Sequence, residues 1–236
     1  MKVALITGVS RETGLGYETA RQLSSLGYYV IITARDVYQA KLLAGPANLQ
    51  AEQLDVTDPD SIDALRRTIE NDYEKIDVLI NNAGAYYDQG NRAMQTDPAL
   101  VHQAIDINLL GAWRMIRAFA PLLLKSSSPR IVNVSSGAGS FHDPAFGITA
   151  QPGAVPVYSM TKAALNALTV HIAEELKYTR IKVNAACPGF TATYEGTEAY
   201  GARPVSDGAK GIVWAATLPD DGPTGGFYRD GQQIDW

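Results

Sequence analysis

Tyr158 and Lys162 stand four residues apart in Tyr158-Ser159-Met160-Thr161-Lys162, early in a stretch with helical patterning. Residues i and i+4 share a helix face, so the phenol and the ammonium can project into one site. A cation beside a phenol favours the phenolate and lowers its pKa from about 10, towards the range where tyrosine exchanges protons near neutral pH. Taken alone, such a pair is more often a surface pair. The apolar run that ends in Ser135-Ser136 delivers two hydroxyls to one place. A hydroxyl there can donate to a carbonyl oxygen as negative charge develops on it. Asn108 falls inside a long helical stretch, where an interior asparagine asks for a reason. It could hold a water that connects Lys162 to solvent, or merely kink the helix.

A second group of residues suits a dinucleotide. The first apolar run is followed by Thr7-Gly8-Val9-Ser10-Arg11-Glu12-Thr13-Gly14-Leu15-Gly16. Glycines let a backbone turn tightly and approach a pyrophosphate seated on a helix N-terminus. Glycines also occur in strand–helix turns that bind nothing. The second run ends in Thr33-Ala34-Arg35-Asp36. An acidic residue at that place binds the ribose hydroxyls of NAD, whereas an arginine pairs with the 2′-phosphate of NADP. Arg35 comes first, and Arg11 offers a second phosphate partner, so the reading favours NADPH/NADP+ over NADH. The bland alternative makes both arginines solvated surface residues. Asp55-Val56 and Asn81-Asn82-Ala83-Gly84 follow two further runs. Asp55 could accept from an adenine amine or cap the next helix, a role that Thr57 or Asp58 would fill as well. Asn81 and Asn82 could simply make turn hydrogen bonds.

These residues must be positioned by alternating elements. Val3–Thr7, Tyr28–Thr33, Ile76–Asn81, Arg130–Ser135 and Ile181–Ala186 read as buried strands, rich in Val and Ile and without the alternation of a half-wet strand. Weaker strands fall near Asn48–Leu54 and Gly226–Arg229. Helical patterns cover Gly16–Leu26, a stretch from the Asp58-Pro59 start to Tyr73, Ala99–Leu124, Val157–Tyr178 and Ser206–Thr217. Repeated strand–helix alternation predicts an α/β fold: a doubly wound parallel sheet of about seven strands with helices on both faces, in a single domain over 1–236. The irregular segments Ala85–Pro98, Gly137–Pro156 and Phe190–Pro204 then all follow strand ends at one edge, where ligands bind in open α/β sheets.

Composition narrows the classes. The 236 residues are 46% hydrophobic and 19% charged, ordinary for a globular protein, and 20 Lys+Arg against 25 Asp+Glu leave a net charge of −5. That balance suits neither a nucleic-acid binder nor a protein of anionic membranes. No run approaches the length of a membrane helix, and the first apolar run is too short for a signal-peptide core. With one cysteine there is no internal disulfide, so a cytoplasmic location is expected. Cys187 reads as a small buried apolar residue. His102, His142 and His171 lack metal-ligand spacing, so no metal site is expected.

Taken in order, Thr7-Gly8…Gly14-Leu15-Gly16, Asn81-Asn82-Ala83-Gly84, Asn108, Ser136, Tyr158-x-x-x-Lys162 and Pro188-Gly189 resemble the short-chain dehydrogenase/reductase family over essentially the whole chain. The tail from Cys187-Pro188-Gly189 to Trp236 resembles its carbonyl reductases. The resemblance implies a Rossmann-type NADPH-dependent reductase of ketones, aldehydes or quinones. Tyr158 would donate the proton, and Ser136, the second serine of its pair, would hydrogen-bond the carbonyl oxygen. Lys162 would depress the tyrosine pKa and bind the nicotinamide ribose, and Asn108 would support Lys162. Thr193 would meet the carboxamide, with Thr191 as rival. The alternatives are an NAD-dependent secondary-alcohol or hydroxysteroid dehydrogenase and, from another class, a dinucleotide-sensing regulator without turnover. Such a regulator has no need for Ser136, Tyr158 and Lys162 together.

The chain departs from the family pattern in two places. Five residues, not three, separate Gly8 from Gly14, so the loop must bulge, and Ser10 and Arg11, then Thr13, compete for the 2′-phosphate. The stretch between Ser136 and Tyr158 is also long, and it carries Phe141, Phe146, Pro144, Pro152 and Pro156. Phe141 and Phe146 are expected to wall the pocket with Phe190 and Tyr194 around a small-molecule carbonyl substrate. The Val157–Tyr178 helix, where relatives pair, leaves the chain a monomer or a homo-oligomer.

Overall fold

The structure is a computed structural model, and it describes all residues but 48, 87, 89–91 and 153. Among the described residues eight strands form one sheet: β1 (Val3–Ile6), β2 (Tyr29–Ala34), β3 (Gln50–Gln53), β4 (Val78–Asn81), β5 (Arg130–Val134), β6 (Lys182–Ala186), β7 (Phe227–Arg229) and β8 (Gln232–Gln233). Their order is β3-β2-β1-β4-β5-β6-β7-β8, so the chain reverses its winding between β1 and β4. All pairs are parallel except β7–β8. Helices α1 (Leu15–Ser25), α2 (Val37–Ala47), α3 (Pro59–Tyr73), α4 (Pro98–Ile105), α5 (Ala112–Leu124), α6 (Pro156–Glu175) and α7 (Val205–Ala216) cover the two faces.

Side chains alternate across a strand, so each buried strand feeds two cores. Val3, Leu5, Ile31, Leu79 and Ile131 point to one face, against Ile69 of α3, Phe119 of α5 and Leu165 of α6. Ala4, Ile6, Ile32, Ile80 and Val132 point to the other, against Leu23 of α1, Ala44 of α2 and Ile212 of α7. This two-sided burial is why the strands read as unbroken apolar runs.

Two elements were not expected from the sequence. Helix α2 lacks a clean apolar stripe: Ala40 and Ala44 are buried while Tyr38 and Leu42 are exposed. Strand β8 returns through Asp230-Gly231, both at positive φ (54° and 75°), with Arg229 paired to Gln232. That is the two-residue Asp-Gly hairpin signal, which favours positive φ at both positions.

The expected helix over Ala99–Leu124 is helical throughout, but it is interrupted by a π-helical turn at Asp106–Gly111, between α4 and α5. The run Pro98–Leu124 is also long and apolar enough, by length and composition, to cross a membrane, which the reading of apolar runs did not find. In this fold its apolar face packs on the sheet through Met115, Phe119 and Leu122.

Candidate active site

The cleft lies at the C-terminal ends of β1, β4, β5 and β6, and is built first by the glycine loop. A Cβ at Gly16 would lie 2.6 Å from the Asn82 side-chain Nδ2; Gly8 sits at φ 72°, and a Cβ there would lie 2.5 Å from the Ala83 Cα. The loops after β1 and β4 therefore touch backbone to backbone, which only glycine permits. Asn82 fastens them, donating to the Thr7 and Gly8 carbonyls at 2.8 and 3.2 Å, while Thr7 Oγ1 accepts from the Asn82 and Ala83 amides. The Asn82 side chain is thus a brace within the cradle.

Two cavities open along this edge. One of about 280 Å³ is lined by Gly8, Ser10, Arg35, Asp36, Asp55, Val56, Ala83 and Gly84, among others. Asp36 Oδ1 accepts from the Tyr38 and Gln39 amides, so its carboxylate starts α2. Asp55 Oδ1 accepts from the backbone and hydroxyl of Thr57. Burial pushes the Asp55 carboxyl up, but the Thr57 hydrogen bonds and the Arg35 charge outweigh it and hold it below the usual range. The cap of α3 is Asp58, accepting from the Asp60 amide at 2.9 Å.

The larger cavity, about 580 Å³, is lined by Ser10, Arg11, Gly14, Leu15, Gly16, Ser136, Tyr158, Lys162, Pro188, Gly189, Thr191 and Thr193, with aromatic walls. Arg11 belongs here and not among the residues around Arg35. Its guanidinium lies 4.3 Å over the Tyr194 ring and donates to the Thr193 carbonyl at 3.4 Å. The long glycine loop carries Arg11 to the Tyr194 side of the cleft, away from Arg35, whereas Ser10 lines both cavities. Thr191 directs its hydroxyl to the Pro188 and Gly189 carbonyls, at 3.1 and 3.2 Å.

Ser136, Tyr158 and Lys162 meet at one wall. Ser135 is buried and donates to Asn166 at 2.5 Å, so the half-exposed Ser136 is the hydroxyl turned to the cleft. Lys162 is buried, and its Nζ donates to the Val134 carbonyl at 2.8 Å, 5.5 Å from the Tyr158 ring centre. Burial drops the Lys162 ammonium from 10.5 to about 8. Burial raises the Tyr158 phenol to about 12, opposed by a hydrogen bond with Ser136. This corrects the expected depression of Tyr158: desolvation outweighs the lowering by Ser136.

Asn108 explains the π turn. Its Oδ1 accepts from the Ala85 amide at 2.7 Å, and its Nδ2 donates to the Ala85 carbonyl and Thr161 Oγ1, at 2.9 and 3.0 Å. A single-turn π bulge often turns one side chain towards a functional site. Here it aims the asparagine at the loop after β4 and at α6. A Cβ at Gly84 would lie 3.6 Å from Asn108 Oδ1 and 3.7 Å from Lys162 Nζ, so that glycine keeps the space between them open.

The aromatic walls differ from expectation at one position. Phe146, Phe190 and Tyr194 line the cavity, and the Phe146 and Phe190 rings stand 6.4 Å apart. Phe141 does not: it is 54% exposed, and its backbone binds Trp236 and Thr149. The Asp143 carboxylate takes the Ala145 and Phe146 amides and pairs with Arg229, which turns Phe146 inward. Tyr86, which the sequence reading passed over, lines the cavity with its ring edge-on to Tyr158 at 5.5 Å. Its only signal was its place two residues beyond Gly84. Among the described residues, no three His, Cys, Asp or Glu side chains gather to hold a metal.

Comparison with known proteins matches residues 2–200 to the family model described as short chain dehydrogenase. A (+)-neomenthol dehydrogenase of Capsicum annuum is 29% identical, with 96% of this chain and 95% of that protein covered. A 3-oxoacyl-acyl-carrier-protein reductase of Synechocystis is 35% identical over 86% of this chain and 79% of its own. The structure of an NADPH-bound carbonyl reductase from chicken fatty liver superposes with a TM-score of 0.84 at 26% identity, covering 100% of this chain and 98% of that one.

Proposed function

The chain belongs to the short-chain dehydrogenase family and is an NAD(P)-dependent oxidoreductase, and from that premise we propose that it is an NADPH-dependent reductase of ketones, aldehydes or quinones. The observation that carries this reading is the convergence of Ser136, Tyr158 and Lys162 on a cleft continuous with a glycine cradle. The cradle fits the cofactor: Gly8 packs on Ala83 and Gly16 on Asn82 more closely than a Cβ allows, which lets the backbone line the groove, and at Gly84 a Cβ would fill the space beside Lys162 Nζ. Gly14, Leu15 and Gly16 would hold the pyrophosphate at the start of α1. Ser10 and Arg35 would hold the 2′-phosphate, Asp55 and Val56 the adenine, and Pro188, Gly189 and Thr193 the nicotinamide. With Asp36 engaged at the start of α2, the arginine is favoured over a ribose-binding carboxylate, and hence NADPH over NADH. When bound, NADPH supplies the hydride.

The chain's own residues supply the proton and the charge stabilisation. A carbonyl oxygen seated between Ser136 and Tyr158 gains negative charge as its carbon is reduced, and Ser136 donates a hydrogen bond to it. Tyr158 then gives that oxygen its proton. A phenol held up at about 12 is fully protonated at neutral pH, the form that reduction requires, and it is still a stronger acid than the alcohol it creates. Lys162 carries three N–H donors, one of which goes to Val134, so others can meet the nicotinamide ribose. Tyr86, Phe146, Phe190 and Tyr194 favour a bulky apolar carbonyl compound.

The test is NADPH oxidation, followed by absorbance, over an aryl ketone, a quinone, an aldehyde and a steroid ketone, with NADH in parallel. Turnover with NADPH that Tyr158→Phe removes, while cofactor binding persists, supports the reading. Turnover unchanged in Tyr158→Phe rejects the proton donor. Turnover with NADH alone rejects the cofactor.

A further inference from the structure

We propose that Asp88 is a positioning residue that fixes the catalytic tyrosine by capping α6 from the loop after β4. The inference rests on Tyr158 acting as the proton donor. Helix α6 is poorly started by its own sequence. Pro156 suits the first helical position, but Val155 before it, a β-branched residue, is held at φ 42° with no side-chain cap, so the Val157 and Tyr158 amides get no acceptor from the cap residue. A β-branched residue in the left-handed region is strained, and the first-turn amides of a helix need partners from outside it. Asp88 supplies them from 69 residues away. Its Oδ1 accepts from the Val157 amide at 2.9 Å and its Oδ2 from the Tyr158 amide at 2.6 Å. Asp88 is 2% exposed, and among the described residues no cation pairs with it. Two charge-assisted bonds and the positive end of the helix dipole hold its charge.

The same loop is anchored at its other end beside the cofactor cradle. Asn108 grips both backbone groups of Ala85, while Gly84 and Ala85 line both cavities. Tyr86, next along the chain from Ala85, sets its ring against Tyr158. One short piece of chain therefore joins the cofactor groove to the backbone of the proton donor. Without Asp88 the Val157 and Tyr158 amides lose their side-chain acceptors, and the phenol can drift from Ser136.

Asp88→Ala and Asp88→Asn in the full chain test this by amide exchange at Val157 and Tyr158, by kcat on a ketone that the wild type reduces, and by NADPH affinity from fluorescence titration. Losing two buried bonds in Asp88→Ala is expected to speed exchange of those amides about tenfold relative to the rest of α6. A displaced phenol lowers kcat by about 10- to 100-fold, with NADPH affinity unchanged. Asp88→Asn, which keeps one acceptor, is expected to recover part of both losses and serves if the alanine variant fails to fold. Unchanged exchange, unchanged kcat at equal folded fraction, or a kcat loss matched by weaker NADPH binding overturns the proposal. A wild type inert towards every carbonyl compound rejects the reductase reading instead, and the exchange measurement still decides whether Asp88 holds α6.

Discussion

Replacing Lys162 by methionine is expected to remove turnover and yet stabilise the cofactor-free chain. Lys162 is 4% exposed, and its burial lowers the ammonium from 10.5 to about 8. Below pH 8 both states carry the charge, but the folded one binds the proton less tightly. At about 1.4 kcal/mol per pH unit, that gap costs folding about 3 kcal/mol. Between pH 8 and 10.5 the folded chain has released the proton while the unfolded chain still holds it, so stability rises with pH and the cost falls to about 1 kcal/mol by pH 10. Methionine removes this cost but leaves the Val134 carbonyl without its 2.8 Å donor, a loss of about 1–2 kcal/mol. The variant should then be more stable by about 1–2 kcal/mol at pH 7, a rise in Tm of about 2–8 °C for a chain of this length. The advantage should vanish by pH 10. Urea unfolding of both chains at pH 7, 8.5 and 10, without cofactor, measures it. A variant less stable than wild type at pH 7, or a difference that stays constant with pH, would refute the account of Lys162 as a desolvated cation.

Arg35→Ala should weaken NADPH binding by about 10- to 100-fold, the worth of one or two charge-assisted bonds to phosphate, and leave NADH binding unchanged in a fluorescence titration. Asp36→Ala should instead cost about 1 kcal/mol of stability as a lost helix start, read by chemical unfolding, with no gain in NADPH preference. Phe146→Ala should change relative rates on bulky and small ketones, whereas Phe141→Ala should leave them unchanged; the opposite pattern would contradict the cavity wall seen here. Gly8→Ala combines a 2.5 Å approach to Ala83 with φ 72°. It should abolish NADPH binding at concentrations that saturate the wild type and lower Tm in a thermal scan.

The strands and the site were legible for different reasons. Buried parallel strands are apolar on both faces, so Val3–Ile6 or Ile131–Val134 stands out without any knowledge of its neighbours. Ser136, Tyr158, Lys162 and the glycines were legible because their chemistry fixes residue type and spacing together. Helix α2 was not, because its start depends on Asp36 and its burial on two alanines. The Asp230-Gly231 hairpin signal was in the sequence and was passed over.

Direction is what spacing cannot carry, and the corrections at the site all turn on it. Arg11 and Arg35 both suit a phosphate by type, yet the bulged loop sends Arg11 over Tyr194. Phe141 and Phe146 are five residues apart, and only the Asp143–Arg229 pair decides which of them faces the cleft. Lys162 shares a helix face with Tyr158, but its ammonium is taken by Val134 and both groups are desolvated, so the pair sits at about 8 and 12 and the phenol is not drawn down. The sign of that shift is set by how much water reaches the cleft. On this argument cofactor and substrate binding would alter the tyrosine by replacing water and donors around it, so a proton donor at Tyr158 would be tuned by its surroundings and not by the Tyr-x-x-x-Lys spacing alone.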